Sequence, residues 1–123
     1  MQLDLASRPT AAADVRRTQL SAVDRAAASA AFRAWFGTPP VLSELLVNLL
    51  QVGREPQSVQ TLARQLDTSS EAVHRHVCEL RKALGGGAID CRRLAGYSLT
   101  DVGMAECQTA IREMVDCLRR IAA

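Results

Sequence analysis

The sequence predicts a mainly α-helical protein with one small β-hairpin, and three observations predict it. Apolar residues recur at helical spacing through most of the chain. The run Gly85-Gly86-Gly87 stops one of these stretches, and beyond it the apolar period becomes alternating. The chain has 123 residues, about one domain, and 48% are hydrophobic, which supports a modest core and excludes a disordered chain. Aromatic residues make up only 3%, so Leu, Val, Ile and Ala must fill that core.

Residues 1–10 read as a flexible lead-in. Residues 11–36 are Ala-rich and free of Gly and Pro until Gly37, which favours a long helix; Leu20, Val23, Ala27, Ala30 and Ala34 mark its narrow apolar seam. Gly37-Thr38-Pro39-Pro40 breaks it, with Thr38 as cap and Pro39 as first residue of the next helix. That helix, Val41 to Val52, carries Leu42, Leu45, Leu46, Leu49 and Leu50 and is expected to be the central core element. Gly53 ends it, and Arg54-Glu55-Pro56 is a turn. Ser58 to Leu66 forms a short helix with Leu62, Ala63 and Leu66 inward. After Asp67-Thr68-Ser69-Ser70 another helix runs to Leu84, with Val73, Val77, Leu80 and Leu84 on one face and Thr68-x-x-Glu71 as its capping box.

Past the glycines, Ile89 and Cys91 alternate with Asp90 and Arg92, and Tyr97 and Leu99 flank Ser98; Arg93 to Gly96 connects the two strands. Thr100 or Asp101 caps a last helix, Val102 to Ile121. Its seam of Met104, Cys107, Ile111, Met114, Leu118 and Ile121 follows heptad spacing for about two and a half heptads.

The order helix, short helix, tight turn, helix and hairpin over residues 38–100 is that of a winged helix-turn-helix, here flanked by long N-terminal and C-terminal helices. Such a unit holds its second helix outward for the DNA major groove. Burying Val73, Val77 and Leu80 leaves Ser69, Ser70, His74, Arg75, Cys78, Arg81 and Lys82 outside, and puts Arg92 and Arg93 near the hairpin tip. Fourteen of the fifteen cationic side chains are Arg, with Lys82 alone, which suits phosphate and guanine recognition, although the net charge is only +2.

The stretch from Val73 to Leu84, ending Leu80-Arg81-Lys82-Ala83-Leu84, together with Ile89 and Gly96-Tyr97-Ser98-Leu99, resembles the effector domains of OmpR/PhoB-type response regulators over roughly residues 42–100. The resemblance implies that His74, Arg75, Cys78, Arg81 and Lys82 face DNA and that Arg92 and Arg93 belong to the wing. It departs where that family has a receiver domain and an N-terminal sheet, so phosphorylation control is not carried over. Tyr97 to Gly103, leading into a long helix, resembles MarR- and PadR-type regulators, in which the helix after the wing helps form a dimer.

The expected function is therefore a sequence-specific regulator of transcription that binds double-stranded DNA, with Arg75 reading a base edge in the major groove, His74 and Ser70 supporting it, Arg81 and Lys82 mainly on phosphate, and the wing arginines Arg92 and Arg93 on the backbone or in the minor groove. The terminal seams can pack on each other within one chain, on the winged domain, or on a second chain. A homodimer through Leu20, Val23, Ala27, Met104, Ile111, Met114, Leu118 and Ile121 is the preferred reading, because an isolated terminal helix has nothing else to bury against. Two alternatives stand beside it: an adaptor that binds a protein partner through the terminal helices, and a repressor gated by thiols or metal through His74, His76, Cys78 and Cys91. Cys107 and Cys117 on the last helix read as packing. No catalytic constellation, cofactor motif or completed metal site is present, so no enzyme and no cofactor are expected. No apolar run approaches the roughly 18 residues of a membrane span, and the N-terminus lacks a secretory signal, so a cytoplasmic location is expected.

Overall fold

The computed structural model describes residues 22–122. Helices α1 (Ala22–Phe36), α2 (Pro40–Val52), α3 (Val59–Gln65) and α4 (Ser70–Leu84) precede strands β1 (Ile89–Arg92) and β2 (Gly96–Leu99), and α5 (Asp101–Ala122) closes the chain. The protein is mainly helical with a small antiparallel hairpin. Among the described residues no helix is long and apolar enough to cross a membrane.

Helix α2 is the centre. Its residues Leu42, Leu45, Leu46, Val47, Leu49 and Leu50 are all buried, and α1, α4 and β2 pack around it. Its start differs from the expected cap. Pro39 is the N-cap and Pro40 the first helical residue. Thr38 instead turns inward, donating to the Phe32 carbonyl at 3.3 Å and sharing a 2.7 Å hydrogen bond with Ser43. A buried hydroxyl needs partners, and these two tie the α1–α2 corner together.

In α1 the buried face is one residue away from the expected seam: Ala28, Ala31 and Phe32 are inside, whereas Ala27 and Ala34 are exposed. Alanines bury too little area to set a helix's rotation, and the fully buried Phe32 sets it here. Arg25 reaches across to α2, donating to Gln51 and, at 2.6 Å, to Asn48. Leu20 and the side chain of Val23 lie outside the described residues.

The turn between α3 and α4 has a specific construction. Asp67 adopts φ 53°, and the Thr68 amide donates to the Ala63 carbonyl at 2.9 Å, the hydrogen bond that closes a helix C-terminus around a left-handed residue. Thr68 is consumed in ending α3, so Ser69, not Thr68, caps α4, its hydroxyl accepting from Ala72 N at 3.1 Å. The expected Thr68–Glu71 capping box is not formed.

In the hairpin, Ile89 pairs with Leu99, Asp90 with Ser98, Cys91 with Tyr97 and Arg92 with Gly96. Burial does not alternate as expected: Cys91 is exposed, and Ser98 is buried. Ser98 lines a hollow with Arg54, Asp90 and Asp101, and the Arg54–Asp101 ion pair spans that hollow. A third segment joins the hairpin. The Gln57 amide donates to Tyr97 O at 2.7 Å, and the Tyr97 amide returns a bond to Gln57 O at 2.9 Å.

Thr100 caps α5, accepting from Gly103 N at 3.1 Å. The apolar seam of α5 divides. Cys107 and Ala110 are buried, and Met104 and Ile111 pack on the core, but Leu118 and Ile121 are exposed. Helix α1 packs along α5, with Ala31, Ala34 and Trp35 facing Ala110, Met114 and Cys117 across a groove. The last helix therefore packs along the first within the chain, one of the arrangements that the sequence leaves open.

Burial, with the nearby Glu106 adding to it, pushes the Cys107 thiol up to about 12. An unfolded thiol ionises near 9.0, so stability should fall as pH rises from 9 towards 12, where the unfolded chain loses a proton that the folded chain keeps. In native protein at neutral pH, maleimide should label the exposed Cys78, Cys91 and Cys117, and Cys107 only after unfolding. Mass spectrometry of the labelled peptides checks this; labelling of all four at one rate would contradict the burial.

Candidate nucleic-acid interface

The face of α4 that is not buried carries a stripe at helical spacing, His74, Cys78 and Arg81, with Arg75 and Lys82 beside it. These side chains divide into two groups. His74 and Arg81 turn towards the hairpin. His74 Nδ1 lies 2.7 Å from the Tyr97 hydroxyl, with the two rings edge to face at 5.7 Å. Arg81 donates to the Ile89 carbonyl at 3.2 Å, and its guanidinium stands 5.8 Å from the Tyr97 ring centre. Half-buried and engaged in this way, Arg81 does not take the outward position expected of it.

Arg75 and Lys82 form the other group. Both are exposed, and neither has an ion pair or hydrogen bond with another described residue. The same holds for Arg93, which directly follows β1 in the turn. Arg92 ends β1 and lies 3.6 Å from Asp90, an exposed pair worth little and open to exchange with a phosphate. Ser69 is exposed as the cap of α4, and Ser70 is half-buried as its first residue. Glu71 and Glu79 dilute the positive face, and Glu79 sits 3.7 Å from the half-buried His76.

The two elements share one cleft of about 340 Å³. Ser70 and His74 of α4 line it together with Arg92, Arg93, Gly96 and Tyr97 of the hairpin, and Ser58 and Gln60 at the start of α3 complete it. Tyr97 organises this junction. Its backbone bridges to Gln57, its hydroxyl meets His74, and its ring carries Arg81. Burial raises its phenol above the ordinary value, the neighbouring Cys91 adds to the shift, and Arg81 opposes it. The phenol therefore stays protonated and available as a hydrogen-bond donor.

The sequence marks Tyr97 as a strand residue within the hairpin's Gly96-Tyr97-Ser98-Leu99 motif but does not reveal its contacts with α4, and it does not mark Gln57 at all. The Gly96-Tyr97 pair was a usable signal for the first; no local signal marks the second, because its partner is forty residues away. Of the expected dimer residues, Ala27, Leu118 and Ile121 are exposed, whereas Met104, Ile111 and Met114 are partly covered within the chain. Among the described residues no three of His, Cys, Asp and Glu cluster as metal ligands. Comparison with protein-family models, curated proteins and solved structures gives no match for this chain.

Proposed function

We propose that this protein is a winged helix-turn-helix regulator of transcription that binds double-stranded DNA, with α4 as its recognition helix and the hairpin as its wing. One observation carries the reading: the hairpin that bears Arg92 and Arg93 is fastened to α4, which bears the outward Arg75 and Lys82, by the His74–Tyr97 and Arg81–Ile89 contacts. A helix alone is an ordinary solvated face. A helix joined to a basic hairpin across a cleft can engage a groove and the phosphates beside it together.

In this reading Arg75 reads a base edge, and Lys82, Arg92 and Arg93 hold phosphate. Ser70 sits at the α4 N-terminus, where free backbone N–H groups also favour phosphate. His74 and Arg81 are positioning residues that fix the wing. Arg75→Ala should cost about 1–3 kcal/mol and relax selectivity at one base pair, whereas Arg93→Ala should weaken binding to all sequences alike and lower the salt slope by about one. Selection from randomised duplexes followed by competition binding checks this; an Arg75→Ala protein with full affinity and selectivity would refute the division.

The reading includes a two-fold dimer through the terminal helices. Trp35 is 49% exposed, Leu118 56% and Ile121 76%, so the distal half of α5 and the end of α1 retain an apolar surface that the other described residues do not cover. Sedimentation equilibrium of wild type and of Leu118→Glu/Ile121→Glu tests it. A monomeric wild type would transfer that surface to a protein partner.

A further inference from the structure

Resting on the DNA-binding reading, we propose that Leu94, in the turn of the hairpin, is an apolar wedge that enters the DNA minor groove and opens a base step. Leu94 is fully exposed, at 101%, and has a φ of 71°. The turn is closed by the Ala95 amide donating to Arg92 O at 3.0 Å, which puts Leu94 at the third turn position. A positive φ at that position suits Gly or Asn, and a bulky side chain there is a backbone strain.

Among the described residues no packing of the Leu94 side chain offsets that strain. The other non-glycine residue with positive φ, Asp67, has a local reason, since it closes α3 and is of a type that tolerates the conformation. The other exposed large apolar residues, Trp35, Val102, Val115, Leu118 and Ile121, all lie on helices. Leu94 alone among the described residues combines complete exposure, an apolar side chain and an unfavourable backbone. Strain of this kind persists where a ligand uses the residue.

The surroundings indicate which ligand. Arg92 and Arg93 directly precede Leu94, and the small Ala95 and Gly96 follow, so the tip is a slim apolar point beside two guanidinium groups. The minor groove has matching chemistry: phosphates along its walls and stacked bases at its floor, which apolar side chains part at the cost of local unstacking. Pyrimidine–purine steps such as TA open most easily, so a wedge confers a sequence preference without any hydrogen bond to a base.

The test compares wild type with Leu94→Gly and Leu94→Phe on two duplexes of equal length, one of alternating TA steps and one of uninterrupted A-tracts. A 2-aminopurine at a TA step reports unstacking. Leu94→Gly should raise Tm by relieving the backbone, keep the salt slope, lose the unstacking signal and reduce relative affinity for the TA duplex about tenfold, or about 1.4 kcal/mol. Leu94→Phe should keep both the signal and the preference. A Leu94→Gly protein with wild-type signal and affinity, or with a lowered Tm, overturns the wedge and leaves DNA binding standing. Absence of duplex binding by wild type at low salt overturns both.

Discussion

Gly96→Ala should destabilise the protein by roughly 4 kcal/mol or more, a value in the range reserved for severe backbone conflicts. A β-carbon at this position would stand 1.9 Å from the Gln57 carbonyl oxygen, 2.5 Å from its carbon and 2.8 Å from Ser58 Cα. All three are backbone atoms, so no side chain can swing away. The φ of 116° adds a strain of about 1–3 kcal/mol for any residue with a β-carbon. Relief requires the hairpin to leave Gln57, which gives up the two bridge hydrogen bonds at about 1 kcal/mol each. Urea unfolding followed by circular dichroism should show either a much lower midpoint or no cooperative transition. Because the same residue anchors the hairpin, the proposed function predicts that any folded fraction also binds DNA weakly. A midpoint equal to that of wild type would show that the hairpin is not held where the structure has it.

Gly103→Ala tests a different site with a sign that local propensity gets wrong. Gly103 lies in the first turn of α5, and there replacing Gly by Ala ordinarily favours a helix by up to about 1 kcal/mol. Here the added carbon would meet the Ala88 carbonyl oxygen at 2.2 Å and its carbon at 3.0 Å, with Leu99 Cδ2 at 3.1 Å. The helix starts pressed against the residue that leads into β1, and Thr100 pins it there by accepting from Gly103 N while donating to Gly87 and Ala88 carbonyls. Moving α5 outward would break that cap and unseat Cys107 and Ala110. Overpacking of this kind costs about 1–3 kcal/mol and outweighs the propensity gain. A peptide spanning α5 should become more helical on the substitution, while the intact protein should lose stability. A stabilised protein would contradict the close approach.

These two glycines show where the sequence is legible and where it is not. The order of elements could be read because each carries its own period: the leucines of α2, the Val73, Val77 and Leu80 stripe of α4, and the alternation after Gly87. Local ambiguity accounts for the capping error. Thr68, Ser69 and Ser70 are all competent caps, and the choice falls to Ser69 because Asp67 and Thr68 are already engaged in ending α3. The rotation of α1 was misread for want of volume, since a seam of alanines says less than one Phe32.

The site was partly legible. Which residues of α4 point outward follows from its period, and Arg75, Cys78 and Lys82 do. Which of those cations are free does not follow, because a long side chain such as Arg81 reaches sideways to the hairpin. The close approaches at Gly96 and Gly103 and the Gln57 bridge are contacts between distant segments. No window of sequence contains both partners.

The most direct test of the central claim is fluorescence anisotropy of a labelled random-sequence duplex titrated with the full chain at several salt concentrations. Neutralising phosphate with Lys82, Arg92 and Arg93 should give micromolar binding at low salt. On a double-logarithmic plot affinity should fall with a slope of about −3 for each subunit engaged, close to 0.9 for each phosphate-binding cation. No binding at low salt by a folded protein, or binding indifferent to salt, would contradict the account and shift attention to the apolar surface of the terminal helices.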